Sequence, residues 1–246
     1  MKIIVLTGQI GTGKSTIAKA LNDLGASIVD TDILSRELQL PGAQVYKQLI
    51  NKFGNEIIGE DKQINRAKLG EIVFADKSKL ELLNSLTHPA ISKQMIMEAI
   101  KISFALQQGM GVPPECKKLR KPKIIVLVVP LYFEAKINLQ LPVVNIGVTD
   151  QEQWITRIEK RDGIKGVNKV KAQMSLQDRE NLADFCVRND SLDDVPQKSK
   201  QIFEFALQTK SNLISKGFIL EHIAIVILPI GIALIAFLAM LRRQLQ

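Results

Sequence analysis

One octapeptide near the start of the chain constrains the fold more than any other feature: Gly8-Gln9-Ile10-Gly11-Thr12-Gly13-Lys14-Ser15. It matches G-x-x-x-x-G-K-[ST], the phosphate-binding loop. An apolar run, Ile3-Ile4-Val5-Leu6, stands before it, and a helix-compatible stretch, Ser15 to Leu24, follows. That order is the strand–loop–helix unit the motif requires. Glycines let the backbone curl until successive N–H groups point at phosphate oxygens. The helix behind the loop adds the positive end of its dipole. In such a loop Lys14 reaches the β- and γ-phosphates, and the Ser15 hydroxyl holds Mg²⁺.

Three further apolar runs read as buried parallel strands. They are Ala26 to Val29 ending at Asp30, Ile124 to Val129 ending at Pro130, and Val143 to Val148 ending at Thr149-Asp150. Helical patterns lie between them over Gln44–Phe53, Lys79–Asn84, His88–Leu106 and Glu152–Lys160. Strands alternating with helices after a phosphate loop predict a doubly wound parallel α/β sheet, with ligands at the carboxyl ends of the strands. Residues 109–123, rich in Pro, Gly and Lys, read as an exposed loop. The polar stretch Asp190–Lys200 leads into a last helix expected over Gln201–Ile214.

The chain has 246 residues and a net charge of +8, which favours anionic partners. Nucleotides, nucleic acid and acidic lipid all fit that charge, which does not choose among them; a nucleic-acid partner is not expected. The two cysteines, Cys116 and Cys186, have no ligand-like neighbours and read as reduced thiols of a cytoplasmic protein. From Ile223 to Leu241 there is no charged residue, and Arg242-Arg243 close the run. As a helix it is roughly 28 Å long, about one hydrocarbon core. A transmembrane helix over 218–241 is therefore expected, anchoring a cytoplasmic domain of residues 1–214. A buried core helix, or a hairpin turning at Pro229-Ile230-Gly231, is the alternative.

Asp30-Thr31-Asp32 follows the second strand. Two carboxylates there can divide the work of phosphoryl transfer, one orienting Mg²⁺ and the other taking a proton from an attacking hydroxyl. Asp30 also reads as the N-cap of the next helix. Arg157 and Arg161, four apart, share a helix face, and with Lys165 and Arg179 could form a basic lid that stabilises the transferring charge. No guanine-reading N-K-x-D is present, since Asn168-Lys169-Val170-Lys171 ends in lysine, and no D-x-x-G occurs. The Ile124 strand ends in Pro130-Leu131-Tyr132-Phe133-Glu134 and not in a strand-end acid. These absences favour a small-molecule kinase that takes ATP.

The ordered set of motifs resembles the dephospho-CoA kinases. It runs from Thr7–Ser15 through Asp30, Asp32 and Arg36, then Pro41-Gly42, Phe53-Gly54, Asn65-Arg66 with Leu69, and Val73-Phe74. His88-Pro89-Ala90-Ile91 follows, then Pro130-Leu131 with Glu134, and Arg157 with Arg161-Asp162. Ala172-Gln173, Arg179, Ala183-Asp184 and Asn189 complete it. The resemblance implies a P-loop kinase core with a helical substrate-binding part and a lid. It implies transfer of the ATP γ-phosphate to the ribose 3′-hydroxyl of dephospho-coenzyme A. Gly11, Thr12, Gly13, Lys14, Ser15 and Thr16 would hold ATP. Asp32 would be the base, Arg157 and Arg161 lid residues, and Asp32, Arg36, Arg66 and His88 substrate-facing. Two positions depart from the family pattern: Trp154 stands where glutamine is usual, and Asp190 where glycine is common. A second reading, an ATP-binding membrane scaffold without turnover, remains open at this level.

Overall fold

The computed structural model describes residues 1–107, 124–163, 166, 170, 173–191 and 193–209. The apolar run Ile223–Leu241, the basic loop 109–123 and most of the lid segment 164–172 lie outside them, as does Cys116. Among the described residues no helix is long and apolar enough to cross a membrane.

The first apolar run forms strand β1, Lys2–Gly8, buried from Ile3 onward. It sits at the centre of a five-stranded sheet ordered β2-β3-β1-β4-β5, where β2 is Ser27–Asp30, β3 Ile124–Val128, β4 Val143–Gly147 and β5 Phe185–Arg188. β1 pairs in parallel with β3 (Lys2 opposite Ile124, Leu6 opposite Val128) and with β4 (Val5 opposite Val143, Gly8 opposite Ile146). β4 pairs in parallel with β5. Unbroken runs of Ile, Val and Leu suit strands covered on both faces, and every residue of β3 and β4 is buried.

Helix α1, Lys14–Asp23, follows the loop and buries Ile17, Ala18 and Leu21. Those side chains join Ile4, Leu6, Val126, Val128, Val144 and Ile146 of the sheet and Val195, Ile202 and Ala206 of the last described helix. That helix spans Val195–Gln208, beginning six residues before the expected Gln201. Its first turn contains Pro196, which a sequence reading takes for loop although its fixed φ suits a helix start. Strand β5 was not anticipated either. It is short and only Val187 of it is buried, and the three apolar residues Phe185-Cys186-Val187 make too brief a run to read as a strand.

The chain divides into two compact units: Met1–Val29 with the described residues from Ala99 on, and Asp30–Glu98. The second is helical. It holds α2 (Thr31–Leu38), α3 (Gln44–Phe53), α4 (Arg66–Phe74) and the first turns of α5, which begins at Lys77. Its core gathers Val45, Leu49, Phe53, Ile57, Leu69 and Val73. The patterns over Lys79–Asn84 and His88–Leu106 prove to be one continuous helix, α5, Lys77–Gln107, with Pro89 inside it. Proline removes one helical hydrogen bond. Ser85 and Pro89 are both exposed, where solvent can serve the carbonyl that loses its partner.

His88, beside that proline, is half-buried, and burial pushes its pKa below the ordinary 6.5. The folded state thus holds the neutral imidazole, while the unfolded chain takes up a proton first as the pH falls. Stability from this group is complete above the unfolded value and declines below it. We predict that the melting temperature falls between about pH 7.5 and about pH 5.5, and that His88→Gln flattens part of that fall. An identical pH profile in the variant would contradict it.

Candidate active site

The octapeptide leaves β1 and enters α1 through two left-handed residues, Gly11 at φ 75° and Gly13 at φ 84°. Gly13 is the N-cap of α1. A Cβ on Gly11 would lie 2.8 Å from Cγ1 of Ile158, and one on Gly13 would lie 2.4 Å from Nδ2 of Asn189. Both positions therefore exclude side chains for conformational and steric reasons together. Ser15 and Thr16 are exposed in the first turn of α1, where helix N–H groups lack intrahelical partners. The concave run of amides and the helix end make a cradle suited to phosphate. The Lys14 ammonium donates to the carbonyls of Gly8 at 2.8 Å and Gln9 at 2.6 Å, folded back along the loop.

Neighbouring elements fasten this loop. Asn189, which follows β5, is buried and donates from Nδ2 to the Thr12 carbonyl at 2.9 Å. Helix α6, Gln151–Asp162, packs Trp154 and Ile158 with Ile10, Val148 and Val170. Arg157 of α6 donates to the carbonyls of Asn189, at 3.3 Å, and of Asp190. It thus lies at the end of β5, one residue from the side chain that holds Thr12. Arg161 is one turn further along α6, and its side chain lies outside the described residues.

Asp190, one of the two departures from the family pattern, has a local role. Its carboxylate accepts the Thr149 amide at 2.6 Å and so ties the loop after β4 to the end of β5. Burial works against its charge, but hydrogen bonds from Thr149 and Asp150, with Lys198 nearby, hold its pKa below the ordinary value.

Arg179 is a correction. It was expected as a lid arginine, yet it is fully buried in α7, Leu176–Leu182. Its guanidinium donates to Glu134 and lies 5.7 Å from the centre of the Phe133 ring. The same Glu134 oxygen accepts the Met174 amide at 3.2 Å. The acid after β3 therefore pins the segment that follows the lid. A buried arginine needs such a partner, and the sequence signal was the glutamate of Pro130-Leu131-x-x-Glu134.

In the helical unit Asp30 is the N-cap of α2, accepting the Asp32 amide at 2.8 Å. Asp32 stands in the first turn and Arg36 one turn on. Arg66, at the start of α4, is close enough to feel both: burial and the Arg36 charge lower its pKa, and the Asp32 charge opposes them. The charges of Asp32 and Arg36 on α2 thus act on Arg66 at the start of α4. His88 is in the same unit, on α5. Among the described residues no cluster of three or more His, Cys, Asp or Glu could hold a metal ion alone. A magnesium ion would have to share a nucleotide's phosphate oxygens with Ser15, which suits its preference for phosphate and water ligands.

A family model described as dephospho-CoA kinase matches residues 2–194. A dephospho-CoA kinase of Carboxydothermus hydrogenoformans is 36% identical over 192 residues, covering 77% of this chain and 86% of the relative. One from Arabidopsis thaliana is 34% identical over 206 residues, 82% of each chain. Among solved structures, the dephospho-CoA kinase of Campylobacter jejuni aligns with a TM-score of 0.58 at 24% identity, covering 83% of this chain and 97% of that one. A Thermus thermophilus protein aligns at 0.64 and 22%, covering 85% and 98%. At those identities the two structures establish the shared fold, while the family model and the sequence relatives establish the lineage. The chain belongs to the dephospho-CoA kinase family.

Proposed function

We propose that the loop Gly8–Ser15 holds ATP and that Asp32 prepares the ribose 3′-hydroxyl of dephospho-coenzyme A to attack the γ-phosphate. The observation that carries this reading is the shape of the loop. Its two left-handed glycines lead into an exposed helix N-terminus, and the Lys14 ammonium is held beside it on backbone carbonyls. On arrival of ATP, Lys14 exchanges those carbonyls for phosphate oxygens. The Ser15 hydroxyl would hold Mg²⁺, which would supply positive charge to the phosphates. Asp32 accepts or orients the hydroxyl proton, and Arg36 and Arg66 face the anionic acceptor. Arg157 and Arg161 neutralise charge from α6. Little covalent work falls to the protein; positioning and electrostatics supply most of the rate.

Asp32→Asn should lower kcat by about 100-fold or more, the range for a general base, with ATP affinity within about twofold of wild type. Turnover at the wild-type rate would remove Asp32 from the mechanism.

We also propose that the apolar run Ile223–Leu241 anchors the enzyme to a membrane. The described chain ends at Thr209, whose carbonyl accepts from Lys2 Nζ at the start of β1. The phosphate loop is at the other end of that strand, about 20 Å away for six residue steps. The basic sequence Lys117-Lys118-Leu119-Arg120-Lys121 would add attraction to acidic head groups. Deleting residues 218–246 should move the protein from the membrane fraction to the supernatant with kcat unchanged. Full-length protein found wholly in the supernatant would contradict the anchor.

A further inference from the structure

The apex of the phosphate loop is held from outside by two side chains that the transfer mechanism does not use. Trp154 Nε1 donates to the Ile10 carbonyl at 2.6 Å. Gln173 Oε1 accepts the Ile10 amide at 2.8 Å. One residue thus has both its backbone groups committed to side chains of distant segments.

Peptide planarity gives these two bonds a consequence inside the loop. In a trans peptide the C=O and N–H point in opposite directions, and no cis bond is present among the described residues. Because Gln173 turns the Ile10 N–H outward, the Gln9 carbonyl of the same peptide turns inward. It is found there, accepting Lys14 Nζ at 2.6 Å and the Thr12 hydroxyl at 2.9 Å. Because Trp154 turns the Ile10 carbonyl outward, the Gly11 amide of the next peptide turns inward, where the cradle needs a donor.

Both external groups are well supported. The indole is 3% exposed, packed with Val148 and Ile158, so its N–H has little freedom to leave Ile10. Gln173 precedes Met174, whose amide is bound by Glu134 and whose carbonyl accepts Gln9 Nε2 at 3.1 Å. Glu134 is in turn fixed by the buried Arg179.

We propose that Trp154 and Gln173 are positioning residues of the phosphate cradle, setting the Gln9 and Ile10 peptide planes so that Lys14 and the Gly11 amide face the nucleotide. The proposal rests on the reading of Gly8–Ser15 as the ATP site. It also makes the indole a neighbour of any change in the loop, and Trp154 is the chain's single tryptophan.

Trp154→Phe keeps an aromatic ring and removes the donor; Gln173→Leu keeps the bulk and removes the acceptor. Each should raise the KM for ATP by about five- to tenfold, the effect of one lost hydrogen bond. The kcat and the KM for dephospho-coenzyme A should stay within about twofold, the pattern of lost uniform binding. A lower melting temperature with an unchanged KM for ATP would show that the residues only stabilise the fold, and would overturn the proposal. Calorimetric titration of the wild-type protein with Mg·ATP supplies an arm independent of variant folding: absence of ATP binding would overturn the cradle reading itself.

Discussion

The direction of two peptide planes, Gln9–Ile10 and Ile10–Gly11, is the constraint on which the nucleotide half of this protein depends. A phosphate loop is mostly backbone, and backbone amides bind an anion only if they point at it before it arrives. Glycine at 11 and 13 permits the required curvature but does not select it, since glycine also permits many others. Selection comes from outside the octapeptide. Trp154 and Gln173 commit Ile10, Asn189 commits the Thr12 carbonyl, and the Glu134–Arg179 pair steadies the segment bearing Gln173. The central sheet holds these groups in register, because β4 leads into α6, β5 leads to Asn189, and β3 leads to Glu134.

Much of this architecture was legible in the amino-acid order. Strands β1, β3 and β4 are continuous aliphatic runs because both their faces are buried, and such runs have no surface alternative. The loop and α1 announce themselves through glycine spacing, and Asp30 fulfilled its reading as a helix cap. The joining of two helical patterns across Pro89 was less visible. Proline is a strong local signal, and a sequence carries no sign that the exposed side of a long helix can tolerate it. Strand β5 is not legible because an edge strand of four residues offers only the short apolar stretch Phe185-Cys186-Val187.

The site was legible in part. Gly11 and Gly13 take the left-handed conformation in the turn before α1, and Arg66 of α4 feels the charges of Asp32 and Arg36 of α2, while the roles of these residues in transfer are proposals. Arg179 was misread because a basic residue near a lid suggests exposure, whereas its partner Glu134 is 45 positions away in the chain. In the sequence Trp154 shows only as a departure from the family pattern. Its meaning lies in one indole N–H and one carbonyl separated by 144 positions, a distance over which sequence patterns are silent.

The chain belongs to the dephospho-CoA kinase family, and the proposed chemistry is phosphoryl transfer from ATP to dephospho-coenzyme A. The most direct measurement mixes the purified full-length protein with Mg·ATP and dephospho-coenzyme A and follows ADP and coenzyme A in the same samples. The account predicts that the two products appear in equal amounts, with no ADP formed when the acceptor is left out. ATP binding or hydrolysis without coenzyme A would contradict it, and would leave the nucleotide-binding scaffold as the better description.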